Sequence, residues 1–408
     1  MEKLMLKDLL SRAEDKLRKE HYAEETIQDY KYVWNKFYNM CELFNINYFD
    51  LNLSMNFLEK YYHVDLKNGK GRTYTRRMRS MYVLDCVNRN QPLRTFRKKI
   101  DRIIPENFKD IFYEYDNFLT KNYSYSTVSF SESILAKFFT FVANVGITKL
   151  NDLNIQHIYM FINSIDTKKY SPHTIYEIKY KLKKFFQYLY DNGKYKFNGN
   201  DIFPKIVKVN RVKLPSYYTM DEINQILNQV DRNTKRGKRD FAILLLAIVY
   251  GLRNSDIIRL KHENTLWNEN KIELIQYKTK KLLELPLTDN VKYAILDYLK
   301  NARPEIDTDY IFLPTKPPYN YIDREQASSL YKSASFYIKK ARLNNGRKQG
   351  LHSLRHSMAS NMLKNNIEVS TISSILGHSS VDVTNIYLSI DEEQLRKLAL
   401  EVPVYEWL

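Results

Sequence analysis

The stretch HYAEETIQDYKYVWNKFYNM at 21–40 returns in altered form as NYSYSTVSFSESILAKFFTF at 122–141. Setting residue 21 on residue 122 puts Tyr22 on Tyr123, Thr26 on Thr127, Phe37 on Phe138 and Tyr38 on Phe139. With one inserted residue Asp50-Leu51 falls on Asp152-Leu153, and further along Thr73 falls on Thr174. Aromatic and aliphatic residues recur at helical spacing in both copies, and each copy reads as Thr- or Ser-capped amphipathic helices. A repeat of about a hundred residues, each copy able to bury its own apolar face, predicts two tandem all-α domains at 1–90 and 105–205.

Proline and charge mark the joints. The basic stretch RNQPLRTFRKKIDRIIPENF at 89–108 carries Pro92 and Pro105 and contains a linker, 91–104, suited to lie along a phosphate backbone. A second linker, 206–215, lies in FPKIVKVNRVKLPSYYTMDE at 203–222, where Thr219 and Glu222 form a capping box that opens a third domain, 216–408. That domain is mixed. A buried helix through FAILLLAIVY at 241–250 ends at Gly251 in the C′ position, and NKIELIQYKTKKLLELPL at 270–287 alternates around a basic turn as a β-hairpin does. Helices are expected near 289–301, 323–343, 353–365 and 369–376, then one carrying Tyr387, then 391–400. The fold class that follows is mainly α with a small β-sheet: tandem helical domains, then a mixed α+β domain.

Composition narrows the function. Ten glycines and eleven prolines in 408 residues argue against a sandwich or propeller. The longest apolar run is too short to span a bilayer and is flanked by charges, and MEKLMLKDLLSRAEDKLRKE is an amphipathic helix of mixed charge, not a secretory signal. Two cysteines, Cys41 and Cys86, suit a reducing compartment and exclude a disulfide framework. A cytoplasmic, nucleoid-associated protein with no membrane partner is expected. A net charge of +17 is tolerated when a polyanion neutralises it, so nucleic acid is the expected partner.

The chemistry gathers in the third domain. YGLRNSD at 250–256 places Arg253 just after a helix stop, and HSLRH at 352–356 places His352 and Arg355 on one helical face. LGHSS at 376–380 places His378 nine residues before Tyr387, and Lys278 sits in the hairpin turn. Two arginines, two imidazoles, an ammonium and a phenol fit attack by a tyrosine oxygen on a phosphodiester. Two forked guanidiniums clamp the non-bridging oxygens better than lysine can. A tyrosine hydroxyl titrates near ~10 and must lose its proton during attack, which a neutral histidine takes. The lysine ammonium protonates the leaving 5′-oxygen. No metal or other cofactor is called for, because the arginines supply the electrostatics. His352 and His356 as a zinc pair is the weaker reading, since no glutamate follows the first histidine and Arg355 repels a cation. Lys280 and Lys281 stand close enough in the turn to take the lysine's part.

These boxes resemble those of the tyrosine recombinase, or phage integrase, family. Tyr250 to Asp256 resembles its Thr-Gly-Leu-Arg-x-Ser-Glu box. Lys278-Thr279-Lys280 with Pro286-Leu287 resembles its hairpin, and His352 to His356 its His-x-Leu-Arg-His box. Leu376 to Ser380 followed by Tyr387 resembles the segment that carries the nucleophile. Lys278 is favoured because it precedes Thr279 as in the family. Asp256 stands where glutamate is usual, and LKNNIEV at 363–369 lacks the family's glycine. The resemblance covers about 105–400 and implies a helical core-binding (SAM-like) domain at 105–205 and catalytic roles for Arg253, Lys278, His352, Arg355, His378 and Tyr387. It further implies cleavage to a 3′-phosphotyrosine, a Holliday junction, and a homotetramer on duplex recombination sites joined by C-terminal tail exchange. Integration or excision of a mobile element is the expected setting, with accessory DNA-bending or directionality proteins as further partners. Two rivals stay open: a type IB topoisomerase or telomere resolvase, and a catalytically idle DNA-binding regulator on the same scaffold. Residues 1–90 are either an extra DNA-binding domain or an assembly domain. Arg76, Arg77 and Arg79 in the first copy, and Lys181, Lys183 and Lys184 in the second, are the expected phosphate contacts.

Overall fold

The computed structural model describes residues 4–66, 69–91, 93, 104–206, 217–319, 324–343 and 346–377, the side chains of 125–126 and 324–331 excepted. Among the described residues the protein is mainly helical with one three-stranded antiparallel sheet, as expected from the sequence. By backbone proximity it divides into two units, Met1–Arg97 together with Lys213–Leu408, and Lys98–Val212.

The repeat seen in the sequence is a repeat of elements. The first copy holds α1 (Leu6–Lys19), α2 (Glu24–Leu43), α3 (Leu51–Tyr62) and α4 (Arg72–Asn88). The second holds α5 (Lys109–Asn122), α6 (Tyr125–Asn144), α7 (Ile155–Asn163), α8 (Pro172–Asp191) and a short α9 (Gly199–Ile202). α1 and α5 have 14 residues each, and α2 and α6 have 20 each. Each copy closes its own core: Leu9, Trp34, Phe37, Leu58 and Leu84 in the first, and Phe138, Phe139, Phe185 and Phe186 in the second. The expected Ser or Thr caps are met in part, with Ser124 at the cap position of α6 and Ser171 at that of α8. Thr26 and Thr127 are third residues of their helices. Ala23 stands at the cap of α2, where Glu24 and Glu25 suit the positive end of the helix dipole. Asp50 does cap α3, accepting from Leu53 N at 2.7 Å, but Asp152 lies in a 3-10 turn and Asn154 caps α7 instead. Ser171 caps α8 with Pro172 at the first helical position.

The third core is built around α11 (Lys235–Val249), preceded by α10 (Met220–Asn228) and followed by α12 (Asn254–Ile257). The Thr219–Glu222 capping box is formed, and Arg347 clasps Glu222 with two bonds of 2.7 and 3.0 Å. Residues 242–248 of α11 are buried all round, so this helix is the spine of the domain. Its one buried carboxylate, Asp240, is answered by Arg239 at 2.6 Å, Arg236 and the Tyr337 hydroxyl. Strands β1 (Thr265–Leu266), β2 (Lys271–Ile275) and β3 (Leu282–Pro286) pair in sequence order, with Ile272 opposite Leu285 and Leu274 opposite Leu283. That alternation buries Ile272, Leu274, Leu283 and Leu285 and leaves Ile275 and Leu282 in solvent at the tip. Helices α13 (Asp289–Asn301), α14 (Arg324–Lys340), α15 (Leu351–Lys364) and α16 (Val369–Leu376) complete the domain close to the expected bounds, α15 starting two residues early. The helices expected to carry Tyr387 and to span 391–400 lie outside the described residues. Among the described residues no helix is long and apolar enough to cross a membrane.

Candidate active site

The site begins where α11 stops. The chain turns through Gly251 at φ +60°, a left-handed conformation that glycine adopts freely, and Arg253 caps α12 immediately after. A side chain at 251 would strain the turn and would also meet Leu376 Cδ2 at 2.8 Å. The bare turn therefore lets α15 and the end of α16 approach. Arg355, on α15, is buried and donates through Nη1 to Gly251 O and through Nη2 to Leu376 O, the latter at 2.8 Å. Arg253 donates through Nη1 to Gln276 Oε1 at 2.9 Å and through Nη2 to Gly377 O at 3.4 Å. Both arginines thus reach consecutive carbonyls at the C-terminal end of α16, where partial negative charge collects. His378 is the next residue in the chain.

The hairpin supplies the remaining wall. Gln276 N donates to Lys281 O and Lys280 N to Gln276 O, both at 2.9 Å, and Lys280 takes φ +57° to close the turn. Tyr277 N donates to Asp256 Oδ1 at 2.9 Å, which ties the turn to α12. Lys280 Nζ lies 4.7 Å from the centre of the Tyr277 ring, and the Arg259 guanidinium 3.8 Å from the same ring. Lys278 is exposed, and its charge acts on His352.

His352 and Arg355 sit one turn apart on α15, as their spacing implied. His352 keeps access to solvent yet is hemmed in by protein atoms. Desolvation first, then the charges of Arg355, Lys348, Lys278 and Arg253, hold its pKa below the ordinary histidine value. The neutral imidazole, able to accept a proton, is the favoured form. Its Nε2 lies 3.0 Å from Nε2 of His356, so one ring donates and the other accepts. Among the described residues no third histidine, cysteine or carboxylate gathers with this pair to hold a metal ion.

Arg253, Lys278, His352 and Arg355 are brought to one place; His378 and Tyr387 lie outside the described residues. The expected phosphate contacts fare differently. Arg76 pairs with Asp29 at 2.6 Å, and Arg77 lies 4.2 Å over the Tyr62 ring while donating to Tyr62 O. Arg79 donates to the Tyr22 hydroxyl at 2.8 Å and to Pro317 O at 3.0 Å. In the second copy Lys183 donates to Phe203 O at 2.9 Å, whereas Lys181 and Lys184 flank the exposed Tyr180 ring. One residue of the site escaped sequence reasoning: Gln276, wholly buried beneath the hairpin turn. Its only signal was an amide sitting two residues before Lys278.

Comparison with known proteins accords with this geometry. The phage integrase family profile matches residues 216–394. The putative integrase/recombinase y4gC of Sinorhizobium fredii is 35% identical over 191 residues, which is 47% of this chain and 97% of that protein. The tyrosine recombinase XerC of Caldanaerobacter subterraneus is 32% identical over 197 residues, 47% of this chain and 52% of that one. The chain therefore spans nearly all of the first relative and about half of the second. Among solved structures, the site-specific recombinase XerH, bound to its palindromic difH substrate in a post-cleavage complex, shares the fold. Its TM-score is 0.56 at 19% identity, covering 85% of this chain and 93% of that one. With a 35% identical relative matched over almost its whole length, and with Arg253, Lys278, His352 and Arg355 gathered in one place, this chain belongs to the tyrosine recombinase, or phage integrase, family.

Proposed function

We propose that this protein cleaves and rejoins duplex DNA at specific sites, exchanging strands between two duplexes to integrate or excise a mobile element. The observation that carries the reading is the convergence of Arg253 and Arg355 on the carbonyls of Gly377 and Leu376, with His352 and the hairpin of Lys278 alongside. In this reading the Tyr387 oxygen attacks the scissile phosphorus while the P–O5′ bond breaks. The phenolic proton passes to neutral His352, Lys278 gives a proton to the departing 5′-oxygen, and Arg253 and Arg355 hold the charge on the non-bridging oxygens. The product is a 3′-phosphotyrosine and a free 5′-hydroxyl. Attack by a 5′-hydroxyl from the other duplex reverses each transfer, so no energy-rich cofactor is consumed. Four protomers on two duplex sites are the assembly this scheme requires.

The test is covalent trapping. Full-length protein is incubated with fragmented DNA carrying nicks, and the DNA ends left on the protein are sequenced. A recombinase gives adducts at a defined sequence and, with two intact copies of that site, exchanged products. Tyr387→Phe should bind the same DNA and give no adduct. Adducts without exchange would indicate a topoisomerase, and sequence-specific binding without adducts would indicate a regulator.

A further inference from the structure

We propose that Gln276 is a positioning residue that sets Arg253, the turn bearing Lys278 and the end of α16 in one register; the inference rests on the strand-exchange reading above. A buried amide is costly unless its polar atoms are bonded, and here they are. Gln276 has no exposed surface. Its Oε1 accepts from Arg253 Nη1 at 2.9 Å and from Thr279 Oγ1 at 2.6 Å, and its Nε2 donates to Leu376 O at 3.2 Å. The partners lie 23, 3 and 100 residues away in sequence. One side chain therefore ties the loop after α11, the hairpin turn beside Lys278 and the last carbonyl of α16, which also receives Arg355 at 2.8 Å.

Sterics fix the arrangement further. Gly377, at φ +60°, lies against this amide so closely that a Cβ there would fall 2.3 Å from Gln276 Oε1. The amide fits only because residue 377 has no side chain, and glycine is also what the backbone needs. Chemistry explains the choice of glutamine. Asparagine is one methylene too short to keep all three bonds. Glutamate keeps both acceptor bonds but loses the donor to Leu376 O and lays a carboxylate on Arg253, draining charge from a phosphate clamp. Methionine keeps the volume and none of the bonds.

The test uses full-length protein on the site recovered by trapping, as a nicked duplex and as the same duplex with a 5′-bridging sulfur. Sulfur leaves without a proton, so it reports whether a defect lies in proton donation. Thr279→Val, which cuts only the bond to the turn, should slow cleavage of the ordinary duplex roughly tenfold and match wild type on the sulfur duplex. A displacement near 1 Å from a remote change costs about a hundredfold, and Gln276→Met should lose about that on the ordinary duplex. It should recover only in part on sulfur, because Arg253 has also lost its partner, while DNA affinity and melting temperature stay near wild type. Wild-type cleavage by Gln276→Met overturns the proposal. So does a loss equal on both duplexes that tracks a fall in affinity or melting temperature, which marks mere packing. If Gln276→Met does not fold, Thr279→Val decides, and its equality with wild type on the ordinary duplex overturns the coupling. Failure of the wild-type protein to form any adduct removes the strand-exchange reading itself, and the role of Gln276 with it.

Discussion

Arg355 and Lys278 face the same proposed phosphate from opposite circumstances. Arg355 is buried, with its guanidinium held by the carbonyls of Gly251 and Leu376; Lys278 stands in solvent on a turn of six residues. The difference matches the role proposed for each. A charge that stabilises a transition state acts best when it is already in place and need not reorganise. A group that delivers a proton must arrive, leave and be recharged from water, which an exposed ammonium on a hairpin can do. The first copy of the helical repeat shows a second kind of held charge, in which Arg77 and Arg79 fasten the copy's own tyrosines.

The sharpest break in this comparison is at Arg355. Arg355→Ala should lower the rate of adduct formation about a thousandfold, the upper range for losing one preorganised donor. Arg355→Lys should recover little, because an ammonium cannot fork to two acceptors, and neither defect should be relieved by a bridging sulfur. Wild-type rates for either variant would remove Arg355 from the phosphate. Next comes Lys278→Ala, expected to lose about a hundredfold on ordinary DNA and to regain wild-type rate on the 5′-bridging-sulfur duplex. Rescue of Lys280→Ala instead would move the role along the turn.

A smaller effect concerns pH. The pKa of His352 is lowered by desolvation and by four neighbouring positive charges, so its proton-accepting form persists to lower pH than in an ordinary histidine. The acid limb of adduct formation on the sulfur duplex should therefore lie below about 6.5, the unperturbed value. Lys278→Ala removes one of those charges and should move the limb upward. A limb that stays put separates Lys278 from His352. The smallest effect distinguishes held from exposed charge in the helical copies. Lys184→Ala should reduce the slope of log affinity against log salt by roughly one phosphate contact. Arg77→Ala should leave that slope unchanged and lower the melting temperature.

Much of this was legible because local rules carry it. Gly251 as a helix stop, Thr219 with Glu222 as a capping box and the alternation of 271–286 about a basic turn each need only a few neighbouring residues. The order of helices in the two copies was likewise readable from apolar periodicity. What failed to show were the contacts made between distant residues. The run Arg76 to Arg79 gave no sign that Asp29, Tyr22 and Tyr62 would be its partners, because these are remote in sequence and adjacent only once the helices pack. Gln276 was silent for the same reason. A single buried amide has no period, and its partners at 253 and 376 gather only when the domain closes.

The carbonyl of Leu376 has a practical consequence for redesign. Because it receives both Arg355 and Gln276, the hairpin, the arginine helix and the end of α16 share one acceptor. A hairpin borrowed from another recombinase would bring its own residue to position 276 and would have to match the native glycine at 377. The smallest piece that can be exchanged intact is therefore the hairpin together with the last turn of α16. The helical copies each close around their own aromatic core, but exchange of the first would also have to keep the bond from Arg79 to Pro317 O.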